Sequence, residues 1–193
     1  MKKILVVIDM QNDFIDGPLG TPEARAIVPK VCEKIRDEEW DRIIRTMDSH
    51  FPLYLGTQEG RKLPIEHCIY GTDGWELNED INDAILDTCA KIADKNGYCS
   101  YESALKLGFG YKAWDTMFRG LRTTEMEIHI VGVCTDICVI SNVLLLKAHY
   151  PEATIIVDAS CCAGTTPEMH AKALDVMRSC QIDIVNEGEI EED

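Results

Sequence analysis

A three-layer α/β/α fold around a six-stranded, mainly parallel sheet is what the sequence predicts. Short apolar runs alternate with amphipathic stretches along all 193 residues. Several of the runs are apolar at every position, as strands covered by helices on both faces must be. Most are followed at once by an acid, an amine or a thiol. Strand–helix alternation with right-handed crossovers gives an open, doubly wound sheet.

Residues 4–8, all β-branched or leucine, form the first strand candidate and run into Asp9. Residues 22–39 follow as a helix, with Ala26, Ile27, Val31, Cys32 and Ile35 on one stripe. Residues 42–47 are the second strand, followed by Asp48. Residues 49–76 are irregular and rich in Gly and Pro, and long loops of this kind in compact domains often carry function. A helix over 77–89 carries Ile81, Ala84, Ile85 and Cys89 on one side. Residues 90–94 are expected as the third strand, leading to Lys95. A helix over 111–121 comes next, then a fourth strand over 127–133 that stops at Cys134. Residues 136–148 are helical up to Tyr150 and Pro151. Residues 153–157 are the fifth strand, ended by Asp158. The last helix, 167–180, starts with Thr166 as N-cap and Pro167 in the first position. Residues 182–185 close the sheet. Residues 1–193 read as one domain, long enough to bury roughly 70% of the unfolded surface without staples.

Apolar residues at 46% and charged residues at 27% are ordinary globular values. A formal net charge of −15 repels nucleic acid and anionic membrane, so neither is an expected partner. Part of that charge lies in residues 187–193, which read as a solvated end. The apolar run at 4–8 is too short for a signal peptide, and no run approaches the ~20 residues of a membrane span. Nine cysteines, an odd number without scaffold spacing, indicate reduced thiols that mostly pack as small hydrophobes. The expectation is a cytoplasmic protein.

In open α/β sheets the ligand sits beyond the carboxyl ends of the strands. The residues expected there are Asp9, Asp48, Lys95, Cys134 to Cys138, and Asp158. Residues 132–139 run from strand through a tight turn into a helix that Thr135 or Asp136 can cap. Cys138 then falls in the first turn, where free N–H groups and the helix dipole favour a thiolate and can hold an oxyanion. The plain alternative is one more buried cysteine, and the spacing of Cys134 and Cys138 also permits a redox or zinc pair. Asp9, closing an apolar strand, must be solvated, paired or catalytic. Lys95 alone would be a surface group. With Cys138 and Asp9 it completes a set of nucleophile, proton acceptor and cationic organiser.

Asp48 and His50 stand at the end of the second strand, with Glu59 and His67 further along the loop. Two imidazoles and two carboxylates suit zinc, manganese or iron better than magnesium or calcium. A histidine pair without metal is the plain alternative, and Cys68 is a further possible ligand. His129 lies within a strand and is read as structural. His149 and His170 fall on helix surfaces and receive no role. Trp40, Trp75 and Trp114 are expected to pack under loops or at an interface.

The segment Met10-Gln11-Asn12-Asp13-Phe14 after Asp9 resembles the opening motif of the isochorismatase-like cysteine hydrolases, the group that contains nicotinamidases. Residues 132–138 are similar to that family's nucleophile turn, Gly-Val-x-Thr-Asp-x-Cys, and Asp94-Lys95 falls where the family places its lysine. The resemblance covers residue 3 to about 186. It implies that Cys138 is the nucleophile, Asp9 the proton acceptor, and Lys95 their cationic partner. It implies an oxyanion hole from the backbone N–H groups of Cys134 and Cys138, a cis peptide before Cys134, and Phe14 in the substrate pocket. It implies a divalent ion, zinc first, on Asp48, His50, Glu59 and His67. The implied reaction is hydrolysis of a small amide through a thioester, nicotinamide first, by a homo-oligomeric enzyme. Another small amide or ureido substrate, or a metal and thiol module without enzymatic activity, are the alternatives. True isochorismatases lack the cysteine, so Cys138 argues against vinyl-ether cleavage. Two departures are visible. Residues 51–55 lack the further histidine of many nicotinamidases, and Leu63 precedes Pro64 where a tryptophan is usual.

Overall fold

The structure, a computed structural model, describes residues 1–37, 39–94, 103–105, 118 and 123–188. Lys95 and Trp114, and the expected helix over 111–121 apart from Phe118, lie outside the described residues.

The sheet has six strands in the order β3-β2-β1-β4-β5-β6. They are β1 (Lys2–Ile8), β2 (Arg42–Met47), β3 (Ser103–Leu105), β4 (Met126–Val133), β5 (Thr154–Ala163) and β6 (Asp183–Val185). Every pairing is parallel. The central strand β1 is buried from Ile4 onward, so both its faces need partners. Ile4, Val6 and Ile8 point into one core and Leu5 and Val7 into the other. Helices α2 (Pro22–Asp37) and α3 (Glu79–Asp94) cover the Leu5 face, after a single turn α1 (Asn12–Ile15). Helices α4 (Ile140–His149) and α5 (Pro167–Ser179) cover the Ile4 face. The three-layer α/β/α expectation holds. Thr166 caps α5 as predicted, its hydroxyl accepting the Met169 N–H at 3.1 Å, with Pro167 in the first turn.

Two strand assignments need correction. Residues 90–94 are the last turn of α3, not a strand, and the third strand is Ser103–Leu105. The buried stripe Ile81, Ala84, Ile85, Cys89 and Ile92 keeps helical spacing to the end of α3, and Ile92 is the only β-branched residue in 90–94. Asp158 does not end its strand either, since β5 runs on to Ala163. Between the pairs Ile130↔Val157 and Gly132↔Cys162, two steps of β4 face five of β5, so β5 bulges there.

The bulge turns Asp158 away from the strand ends and toward α2. Its carboxylate meets Lys34 Nζ at 2.9 Å, Ser160 Oγ at 2.8 Å and Asn186 Nδ2 at 2.8 Å. Burial pushes this carboxyl up, but Lys34 and the hydrogen bonds outweigh it and hold it below the usual range. The acid is a tether among α2, β5 and the segment after β6.

Trp40 and Trp75 pack as expected. The Trp40 ring sits edge-on to His129, with centroids 5.0 Å apart, and Trp75 Nε1 donates to Ser49 Oγ at 2.7 Å. His129 lies in β4 beside Glu127, at 2.7 Å, a structural position. Seven described cysteines are free. Cys89 is disulfide-bonded, which corrects the expectation of reduced thiols. No helix among the described residues is long and apolar enough to cross a membrane.

Replacing Asp158 with Asn leaves Lys34 charged and nearly buried, and should cost about 3 kcal/mol at pH 7 by urea unfolding. A carboxyl whose folded pKa is depressed stabilises above its unfolded value, and that stabilisation fades as pH falls through the folded value. The gap between parent and variant should therefore narrow below about pH 4. Equal stability at pH 7 would contradict the tether.

Candidate functional site

The site gathers at the carboxyl end of β1, β2 and β4. Asp9 follows β1 with φ 48°, a left-handed turn that takes the chain out of the sheet. Its N–H donates to Thr46 Oγ1 at 3.1 Å, and the Thr46 hydroxyl donates back to Asp9 Oδ1 at 2.5 Å. The side chain is 2% exposed. Burial pushes the Asp9 carboxyl up to about 6; the Thr46 hydrogen bond opposes this and the nearby Asp48 charge adds to it. The Asp9 carboxylate also lies within electrostatic reach of the Cys138 side chain, and each acts on the other's proton affinity.

Cys138 reaches that position through a crowded turn. Gly132, at φ 124°, passes so close to β1 that a Cβ would lie 2.1 Å from Ile8 O. The Val133–Cys134 peptide is cis, as the resemblance implies. Thr135–Val139 then forms one π turn, in which the Val139 N–H reaches back to Cys134 O at 3.0 Å, and α4 follows. Such turns are frequent at functional sites. The expected cap by Thr135 or Asp136 is absent: the turn starts at Cys134 with no side-chain cap. Both side chains are committed elsewhere. Asp136 accepts the Thr165 N–H at 2.8 Å and its hydroxyl at 2.6 Å, and Thr135 Oγ1 pairs with His170 Nδ1 at 2.8 Å.

The expectation that the helix start keeps Cys138 ionised is also corrected. Burial pushes this thiol well above its ordinary value, the Asp9 charge pushes it further, and a backbone hydrogen bond from Cys134 only partly offsets them. Burial therefore favours the thiol, next to a carboxylate able to take its proton.

Beside this pair lies a second cluster. Asp48, His50 and His67 are all buried, and one ligand atom from each lies within 4.8 Å of the others. His50 Nε2 is 2.9 Å and His67 Nε2 3.3 Å from Asp48 Oδ2, and the two ring nitrogens are 3.2 Å apart. His67 Nδ1 lies 2.8 Å from Ile65 O, which can only accept, so Nδ1 carries a proton and Nε2 faces the cluster. Asp48 Oδ1 takes the Ser49 N–H at 2.8 Å, which aims Oδ2 at the histidines. Burial pushes the Asp48 carboxyl up, but the two histidines outweigh it and hold it far below the usual range. Two ring nitrogens and a carboxylate oxygen converging in this way form a donor set that fits a divalent transition ion. Glu59 comes within 3.8 Å of His50 Nε2 from a position 35% exposed, at the rim and outside the three-residue cluster. Cys68 is buried but also outside that cluster.

Cys138 and the cluster share one cavity of about 270 Å³. Cys134 and Cys138 line one part, Asp48, Glu59 and His67 another, and Phe14, Leu19, Leu63 and Ile137 give it apolar walls. Phe14 lines this cavity, its ring centroid 5.6 Å from that of His67. Lys95 lies outside the described residues, and Asp158 does not reach the cavity.

Sequence reading missed the residues that join these parts. The fully buried Gln11 amide donates to Asp48 O at 2.9 Å and accepts the Asp48 N–H at 2.7 Å, pinning β2 to the end of β1. Asp13 accepts the Cys68 N–H at 2.7 Å, beside His67. Thr46 holds Asp9. A polar residue within an apolar run is the one available signal, and it does not name the partner.

The family model described as Isochorismatase domain matches residues 3–187. A nicotinamidase of Saccharomyces cerevisiae is 26% identical over 216 aligned residues, covering 95% of this chain and 99% of the relative. Among solved structures, a nicotinamidase of Bacillus subtilis matches with a TM-score of 0.73 at 25% identity, over 96% of this chain and 100% of that one. The pyrazinamidase of Pyrococcus horikoshii, solved in complex with zinc, matches with a TM-score of 0.69 at 26% identity, over 97% and 100%.

Purified parent protein should retain close to one equivalent of a divalent transition metal by elemental analysis, and His50→Ala should retain less than about a tenth of that. Equal metal content in parent and variant would place the ion elsewhere.

Proposed function

Because this chain belongs to the isochorismatase family, we propose that it is a cysteine amidohydrolase that releases ammonia from a small amide, nicotinamide first. The observation that carries this reading is the cavity where a buried thiol, beside a buried carboxylate, faces a histidine-rich set of metal-ligating side chains.

In this reading Asp9 takes the Cys138 proton as sulfur attacks the amide carbonyl. Burial makes Asp9 a stronger base than an exposed carboxylate, and at neutral pH it is still ionised. The backbone N–H groups of Cys134 and Cys138 would hold the oxyanion. Asp9 then gives its proton to the departing nitrogen, leaving a thioester on Cys138. Water, losing a proton to Asp9, attacks that thioester; sulfur leaves as the thiol, and the carboxylic acid is released. Lys95 would stabilise the charge shared by Asp9 and the thiol, by resemblance alone.

Asp48, His50 and His67 would hold the divalent ion, zinc first and manganese or iron otherwise, with Glu59 at the rim. When bound, that ion supplies a Lewis-acid contact for a lone pair on the substrate. The chain's own part is to orient: apolar walls at Phe14, Leu19, Leu63 and Ile137 suit a flat, neutral ring. The net charge of −15 likewise favours a neutral substrate over an anionic one.

Parent protein should release ammonia from nicotinamide. Cys138→Ala should fold and keep its metal while kcat falls by about 10³-fold or more, and Asp9→Asn should behave alike. Steady turnover by folded Cys138→Ala would sink the mechanism. Ammonia released from other small amides but not from nicotinamide would correct the substrate alone.

A further inference from the structure

The nucleophile turn does not hold itself in place. It begins at Cys134 without a side-chain cap, and its first two side chains reach across to the turn between β5 and α5. Thr135 is fully buried, and its hydroxyl pairs with His170 Nδ1 at 2.8 Å. Asp136 takes both the N–H and the hydroxyl of Thr165. The two turns are packed so closely at Gly164 that a Cβ there would come within 2.8 Å of His170 N and 2.9 Å of Asp136 Oδ1. His170 is itself fixed from behind, because its N–H bonds to Thr166 O at 2.9 Å within the capped first turn of α5.

Of these bonds, only the one to Thr135 acts directly next to Cys134. A locked Thr135 side chain fixes the Cys134–Thr135 peptide plane, which is one backbone rotation away from the Cys134 N–H on one side and leads into the turn that carries Cys138 on the other. We infer that His170 is a positioning residue for the proposed reaction: through the Thr135 hydroxyl it fixes the turn that aims the Cys134 N–H and the Cys138 sulfur into the cavity. The inference rests on the amidohydrolase reading. His170 touches no reacting atom and does not line the cavity, so its loss should weaken the chemical step and spare binding. Burial pushes the His170 imidazole below its usual value, against the raising effect of the nearby Asp136 and Glu187 charges.

The test compares His170→Ala with His170→Asn, whose amide can restore a polar partner near the Nδ1 position, and approaches the same bond from the other side with Thr135→Val and Thr135→Ser. His170→Ala and Thr135→Val should lower kcat about tenfold or more with KM within about twofold, since misplacing a reacting group by an ångström costs that much or more. His170→Asn and Thr135→Ser should recover to within about threefold of the parent. Iodoacetamide labelling of Cys138, followed by peptide mapping, reads the same displacement without any amide substrate, and its rate should change in the Ala and Val variants and recover in the other two. That keeps the inference testable if nicotinamide proves to be the wrong substrate. Parent-like kcat and parent-like labelling in a folded His170→Ala or Thr135→Val variant would overturn it. So would equal losses in all four variants that simply follow their melting temperatures.

Discussion

A carboxyl and a thiol buried side by side cannot both ionise at neutral pH, and this constraint shapes the site. Each group, placed alone in such surroundings, would be driven toward its neutral form. Together they share one negative charge, and the proton between them is the one that has to move when a nucleophile is required. Asp9 is the cheaper place for the charge, because the Thr46 hydroxyl and its own backbone turn are arranged around it. A resting thiolate is therefore unnecessary. In the proposed reaction the nucleophile would be created at the moment of attack, inside a cavity that also offers apolar walls and a cluster of metal-ligating side chains.

Such an arrangement works only if its parts are held from outside, and the fold does this with buried and half-buried polar side chains at the strand ends. Gln11 clamps both sides of the Asp48 peptide, so the proton acceptor's strand and the metal cluster's strand move as one body. Asp13 holds the Cys68 N–H next to His67, with the Cys68 backbone in the left-handed region at φ 46°. Asp136 and Thr135 tie the nucleophile turn to the start of α5. Each of these groups would be costly if left unpaired in the interior. Each is satisfied by a backbone group or side chain from a different element, and that is how the sheet edge becomes a rigid site.

Much of this was legible in the sequence because it rests on local pattern. The all-apolar run before Asp9 places that acid at a strand end, and the strand–turn–helix pattern around residue 134 places Cys138. The short spacing of Asp48 and His50 brings the first two metal candidates together. The failures share a different cause. Residues 90–94 look like a strand until the buried stripe of α3 is followed through to Ile92. Asp158 looks like a strand end because the bulge in β5 leaves no local mark. The cap expected from Thr135 or Asp136 fails because partners at Thr165 and His170, about thirty residues away, compete for the same side chains. The thiolate expected at the helix start loses to burial, which depends on how the whole domain packs around the sulfur.

The account stands on Cys138 forming and breaking a bond to the acyl group of its substrate. Acid quenching within the first turnover on nicotinamide, followed by peptide mapping by mass spectrometry, tests this most directly. The account predicts a transient acyl adduct on the peptide that carries Cys138, gone once substrate is exhausted. Product formation with Cys138 unmodified at every time point, or an adduct on Cys134 instead, would contradict it.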